Sequence, residues 1–149
     1  MVQHGVAAGV QLAVEPLNRY ETSLLNTVDQ AFEAAADLPA EGAGMLLDIC
    51  HMNIEEIDLP AAIRRAGSRG THIQVCANDR GSPGADPLPW PQIVEALDDI
   101  AYTGPLCIES FTADNATIAI AASIWRPLVR TQDAIATDDL AHLRSLQDS

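Results

Sequence analysis

The sequence predicts an α/β fold made of about four βα units and a terminal helix, half of a (β/α)8 barrel, in one domain over residues 1–149. Three observations predict it. Short apolar runs alternate with helically spaced segments. The polar residues that end the four runs, Glu15, Asp48, Gln74 and Glu109, are separated by 33, 26 and 35 residues, a near-regular unit of about thirty, and eight such units make a barrel. The segment after the first run, Glu15-Pro16-Leu17-Asn18-Arg19, is not the glycine-rich phosphate turn that a doubly wound sheet usually carries there.

The elements follow in order. Met1 to Ala8 reads as the tail of a helix. Val10 to Val14 is a β-branched apolar run and the first strand. Thr22 to Ala36 has helical spacing, with Leu25, Val28, Phe32 and Ala35 on one stripe. Met45 to Ile49 is the second strand. Asp58 caps a helix that carries Pro60 in its first turn and runs to Ala66 before Gly67. Thr71 to Cys76 is the third strand, and a Gly/Pro-rich loop extends from Asn78 to Pro89. Trp90 to Ile100 is a helix with Ile93, Leu97 and Ile100 on one side. Leu106 to Glu109 is the fourth strand, followed by helices over Ala116 to Leu128 and Asp138 to Leu146.

Composition narrows the function. Hydrophobic residues make up 48% of the chain and charged residues 19%, which argues against disorder. The formal net charge is −13, and all 8 basic residues are arginine. So acidic a chain is expected to bind neither nucleic acid nor an anionic membrane, since both need a basic face. The lysine-free acidic surface fits a high-salt cytoplasm and fits biased codon usage equally. No stretch approaches the ~20 apolar residues of a membrane span, and the apolar first fourteen residues lack the basic start of a signal peptide. A cytoplasmic location with reduced thiols is therefore expected. Cys50, Cys76 and Cys107 match no CxxC spacing and read as small buried hydrophobes.

The carboxyl ends of parallel barrel strands converge on one face, where barrel active sites sit. Glu15, Asp48, Gln74 and Glu109 therefore have two readings. They are four unrelated polar strand ends, or three carboxylates and an amide oxygen gathered around a divalent cation that relieves their repulsion. Oxygen-rich ligation favours Mn²⁺, Mg²⁺ or Co²⁺ over a closed tetrahedral zinc site. Glu21, His51 and Arg80 follow these ends by six, three and six residues. Individually, His51 reads as a helix-start histidine and Arg80 as a loop arginine paired with Asp79. Together they place a base, a cation and an acceptor where a polyhydroxylated substrate would need them.

Five segments carry a resemblance: Val14-Glu15-Pro16-Leu17-Asn18-Arg19-Tyr20-Glu21-Thr22, Leu47-Asp48-Ile49-Cys50-His51-Met52-Asn53-Ile54-Glu55-Glu56, Asn78-Asp79-Arg80-Gly81-Ser82-Pro83-Gly84, Ile108-Glu109-Ser110-Phe111 and Ile124-Trp125-Arg126-Pro127-Leu128. In order and separation they resemble the ketose 3-epimerases (D-tagatose and D-psicose 3-epimerases) of the xylose-isomerase-like TIM barrel superfamily. The likeness runs from about Gly9 to the end and is to the C-terminal half of that barrel. It implies that Glu15, Asp48, Gln74 and Glu109 are the metal ligands, with Mn²⁺ the expected ion and Mg²⁺ or Co²⁺ the alternatives. It implies that Glu21, His51 and Arg80 contact the sugar, and that Glu15 and Glu109 are the catalytic acid and base of a C3 epimerisation passing through an enediolate. The fourth ligand position departs from the family. The epimerases usually have a His-x-His pattern, whereas His72-Ile73-Gln74 puts glutamine there, as in the related hydroxypyruvate isomerases. A hydroxypyruvate-type aldose–ketose isomerase is thus the first alternative, and a non-catalytic fragment that assembles or binds metal weakly is the second. His72, one layer below Gln74, reads as structural or as a support for the ligand.

Family members are about twice as long and place four more units before the first motif. A half-barrel is expected to leave two open sheet edges and an uncovered interior, and hence to form a homo-oligomer or to pair with an N-terminal half-barrel.

Overall fold

The computed structural model describes residues 1–84 and 86–147. Four strands, β1 (Leu12–Val14), β2 (Ala43–Asp48), β3 (Gly70–Val75) and β4 (Leu106–Ile108), form one parallel sheet in the order β1-β2-β3-β4. Sequential neighbours throughout, with no reversal of order, are the arrangement of a barrel segment and not of a doubly wound sheet. Each strand lies within two residues of its predicted bounds.

The helices are α1 (Val2–Ala7), α2 (Val28–Ala34), α3 (Ile49–Glu55), α4 (Leu59–Ala66), α5 (Trp90–Asp99), α6 (Ala116–Ala121), α7 (Gln132–Ala134) and α8 (Leu140–Gln147), with a π turn over Ile135–Asp139. Helices α2, α4, α5 and α8 cover one face of the sheet. Their Val28, Ala62, Ile63, Ile93 and Leu143 pack on Met45, Leu47, Ile73 and Val75 to make the core. Successive strand residues alternate between faces, so Leu46, His72, Gln74 and Cys107 lie on the opposite, concave side, where all four are partly exposed. His72 pairs with Leu46 one layer below the Asp48–Gln74 pair.

Ile73 is fully buried at the centre of the sheet. Ile73→Ala is expected to cost about 3 kcal/mol, the usual result of an unfilled core cavity. Chemical denaturation measures it, and a loss below about 1 kcal/mol would mean that the helices do not pack on this strand.

Four sequence expectations are corrected. The helix expected from Thr22 begins at Val28, because Thr27 caps it: the Thr27 hydroxyl accepts from Gln30 N while the Gln30 side chain reaches back to the Thr27 amide. Phe32, expected on its buried stripe, is 45% exposed, and the smaller Val28, Ala31 and Ala35 face the sheet instead. The second apolar run ends as a strand at Asp48, and Ile49 already opens α3, of which the sequence offered only His51 as a helix-start histidine. The helix expected over Ala116 to Leu128 stops at Ala121. Ser123 takes a left-handed φ of 55°, and Ile124 N closes the end on Ala119 O at 2.7 Å.

Candidate active site

Asp48 shows how local structure builds the site. It is both the last residue of β2 and the cap of α3, and its Oδ1 accepts from Cys50 N at 2.8 Å and His51 N at 3.0 Å. The carboxylate is thereby fixed at the strand end, and the first turn of α3 aims His51 back over the same end.

His51 is held from the β1 side. After β1 the chain turns at Asn18, which is 5% exposed. Asn18 N and Nδ2 lie 3.3 and 2.8 Å from His51 Nδ1, and Asn18 Nδ2 also donates to Glu21 Oε1 at 3.0 Å. The turn is tied to α3 by Glu55, which accepts from Arg19 N, Nε and NH2 at 2.6, 2.9 and 2.9 Å. Glu15 Oε1 lies 3.6 Å from His51 Nε2, and Glu21 Oε1 lies 3.9 Å from Nδ1.

Arg80 comes from the turn after β3. Its backbone has a φ of 68°, a conformation that side chains rarely adopt, and the turn is closed by Arg80 N to Ala77 O at 3.0 Å and Ala77 N to Gly81 O at 2.9 Å. The backbone is held there from two sides. Phe111 N donates to Arg80 O at 2.8 Å, and the guanidinium is locked among acids: NH1 donates to Asp48 Oδ2 at 2.6 Å and to Glu109 Oε2 at 2.9 Å. Its carbon also lies 5.7 Å from the centre of the Phe111 ring. The pairing with Asp79, the reading of Arg80 taken alone, does not occur. Asp79 Oδ2 accepts from Arg126 NH2 at 3.1 Å and leaves Arg80 to the strand ends.

The Gln74 amide sits beside the same two carboxylates. Turned so that it donates, its nitrogen is 3.3 Å from both Asp48 Oδ2 and Glu109 Oε2. Turned the other way, its oxygen joins two carboxylate oxygens, an arrangement that a positive charge must balance.

All seven sequence-predicted residues thus meet at one site. Glu15, Glu21, His51, Arg80 and Glu109 line an open cleft of about 290 Å³, closed on one side by Phe111 and α6. Asp48 and Gln74 lie beneath it, and ligand atoms of Glu15, Asp48 and His51 fall within 4.8 Å of one another. Asn18, Glu55 and Phe111 were missed as positioning residues. Their signal is that each lies within a segment that carries the resemblance.

The electrostatics divide the carboxylates. Burial, then the neighbouring Asp48, raises the proton affinity of Glu15. Burial, the hydrogen bond to Asp48 and the Asp48 charge push Glu109 up to about 7. Burial alone would raise Asp48, but the Glu109 hydrogen bond and the Arg80 guanidinium hold it below the usual carboxylate range. Burial, with Arg80 adjacent, lowers the proton affinity of His51 against the raising effect of Asp48 and Glu21. An imidazole accepts at one nitrogen at most. Yet Asn18 N faces Nδ1, and Arg80 NH2 lies 3.0 Å from Nε2. The site therefore has one hydrogen-bond donor more than its own acceptors use.

A parallel sheet in sequential strand order, with acids, an amide and an arginine at its strand ends, defines a segment of a (β/α) barrel. The Xylose isomerase-like TIM barrel family description matches residues 1–146, and the chain belongs to that family. Among curated proteins it is 40% identical over 139 residues to one named "Probable ketose 3-epimerase" from Synechocystis sp., covering 93% of this chain and 48% of that one. It is 39% identical over 120 residues to D-psicose 3-epimerase from Enterocloster bolteae, covering 80% and 40%. Among solved structures it superposes on an L-ribulose 3-epimerase with a TM-score of 0.91 and 32% identity, covering 99% of this chain and 50% of that one. On a D-psicose 3-epimerase with D-tagatose from Clostridium cellulolyticum H10 the TM-score is 0.88 at 31% identity, covering 97% and 51%. The chain spans about half the length of these relatives. No helix among the described residues is long and apolar enough to cross a membrane.

Proposed function

We propose that the chain supplies the catalytic half of a divalent-metal-dependent ketose 3-epimerase, in which Glu15 and Glu109 exchange the C3 proton of a ketose. The observation that carries the reading is a single cleft that brings Glu15 and Glu109 together with His51 and Arg80. Two carboxyls in one cleft are the groups that a reaction taking and returning a proton needs. The names of the relatives supply the substrate class.

The donor set fits a hard cation. Glu15, Asp48 and Glu109 offer carboxylate oxygens and Gln74 an amide oxygen, the ligand type that Mn²⁺, Mg²⁺ or Co²⁺ prefers, with Mn²⁺ first. The Arg80 NH1 group between Asp48 and Glu109 supports this, because those oxygens already hold a positive charge. When bound, the cation would stabilise negative charge developing on the substrate oxygens.

The remaining roles belong to side chains. Glu15 or Glu109, according to the direction of reaction, takes the C3 proton from one face and the other returns one on the opposite face. His51 and Arg80 hold the enediolate oxygens, using the donor that the site otherwise leaves without an acceptor. Glu21, 46% exposed, meets a hydroxyl at the mouth of the cleft. The concave face and the free edges of β1 and β4 take four further βα units or a second copy of the chain. The reducing cytoplasm suits the three free thiols.

The test is exchange of the substrate C3 proton with deuterated solvent, in a barrel completed with an N-terminal half. Metal-dependent exchange on ketohexoses is the expected result. Gln74 favours the rival aldose–ketose reading, for which turnover of hydroxypyruvate without ketohexose exchange would be the outcome. Light scattering tests the pairing, and a monomer with no affinity for a half-barrel would contradict it.

A further inference from the structure

Cys50 and Cys76 take no part in the chemistry above. Cys50 is the second residue of α3, and Cys76 follows the last residue of β3. Because β2 and β3 are neighbours, the two thiols meet directly behind Asp48. They are 6% and 0% exposed. One sulfur from each and a carboxylate oxygen of Asp48 lie within 4.8 Å of one another. Two further contacts show the polarity of this spot. Arg80 NH1 approaches Cys76 Sγ at 3.6 Å, so the sulfur faces a positive charge. The Asn78 carbonyl accepts from Cys50 Sγ at 3.7 Å, so a fourth, oxygen donor stands beside the thiols.

We propose that Asp48, Cys50 and Cys76 form a second cation site, selective for a thiophilic divalent ion such as Zn²⁺ or Cd²⁺, that shares Asp48 with the oxygen-rich set. Two sulfurs and a carboxylate oxygen are the donors of a soft to borderline site, whereas Glu15, Gln74 and Glu109 suit hard ions. The dimensions agree. A tetrahedral ion with bonds of about 2.3 Å to sulfur and about 2.0 Å to oxygen sets its donors about 3.5 to 3.8 Å apart. The cluster reaches that spacing by closing by about 1.3 Å at most, and the Asn78 carbonyl, 3.7 Å from Cys50 Sγ, offers a fourth donor. Loading is a simple exchange: two S–H bonds break, two metal–sulfur bonds form, two protons leave to solvent, and no atom changes oxidation state. Because Asp48 serves both sites, a thiophilic ion at the cysteines competes with a hard ion at the carboxylates.

The test uses Co²⁺ added to the reduced whole chain, followed by absorption. Thiolate ligation produces a sulfur-to-cobalt charge-transfer band in the near ultraviolet that oxygen ligation alone lacks. The expected result is a band that saturates at one equivalent, is bleached by Zn²⁺, is lost in Cys50→Ser and in Cys76→Ser, and survives in Cys107→Ser. Cys50→Ala and Cys76→Ala, each checked for native circular dichroism, repeat the loss where a serine variant does not fold. A wild-type chain that binds Co²⁺ without the band, or a band that persists when both residues are replaced, overturns the proposal. The readout needs no turnover, so its failure leaves the epimerase reading untouched, and failed proton exchange leaves this site untouched.

Discussion

Asp48→Ala should unfold much of the site and a sizeable part of the protein's stability with it. The Asp48 side chain is fully buried, and the Arg80 guanidinium it binds at 2.6 Å is only 10% exposed. Removing the carboxylate leaves that charge buried with Glu109 as its one remaining acid, a loss of about 3–5 kcal/mol in comparable pairs. It also removes the cap that accepts from Cys50 N and His51 N, worth about 1 kcal/mol more. Against a typical total of about 5–15 kcal/mol this is a large fraction. Asp48→Asn separates the two contributions, because the amide oxygen still caps α3 while the charge is gone. The expected order of urea midpoints is wild type, then Asp48→Asn, then Asp48→Ala, and divalent-ion binding by calorimetry should be lost in both variants. A loss below about 1 kcal/mol in Asp48→Ala would mean that the Asp48–Arg80 pair does not hold in solution.

The same residue shows how far the sequence could be read. The strand ends were legible because an apolar run that stops at an acid marks where a parallel strand leaves the sheet, and Glu15, Asp48 and Glu109 all stand there. Helix α4 was legible because Asp58 and Pro60 bracket its start and Gly67 its end. Helix α3 was not. Ile49 and Cys50 are apolar again just past Asp48, and both a buried strand and a buried helix turn are apolar, so periodicity alone cannot divide them. The stripe of α2 was misjudged at Phe32, since small residues let a helix sit close to a sheet and the large ring is turned outward. Within the site, residue types were legible and connections were not. That Arg80 reaches past Asp79 to Asp48, 32 residues earlier, follows from strand order and from a turn with a left-handed residue. The pairing of Cys50 with Cys76 was hidden for a like reason, because no sequence spacing records that two strand ends are neighbours.

Glu109→Gln separates catalysis from stability, and the two should move in opposite directions. In a completed barrel, loss of the acid/base carboxyl is expected to slow C3 proton exchange about 10³-fold, within the usual range for such groups. Full exchange in the variant would remove Glu109 from the reaction. Stability behaves differently because Glu109 is raised from 4.5 to about 7 in the folded chain. Its folded-state pKa lies above its unfolded value, so the folded state holds the proton more tightly between those limits. The stabilisation it gives is complete below about 4.5 and is lost as pH rises through about 7. Glutamine keeps a donor toward Asp48 at every pH and has no proton to lose. Thermal midpoints of the metal-free chain should therefore fall for wild type relative to Glu109→Gln as pH rises from about 5 to about 8. Added Mn²⁺ should flatten the difference in the wild type, since a cation at these oxygens favours the ionised carboxylate. Parallel pH curves for the two metal-free proteins would show that Glu109 does not share a proton with Asp48, and the assignment of Glu109 as an acid poised near neutrality would fall with it.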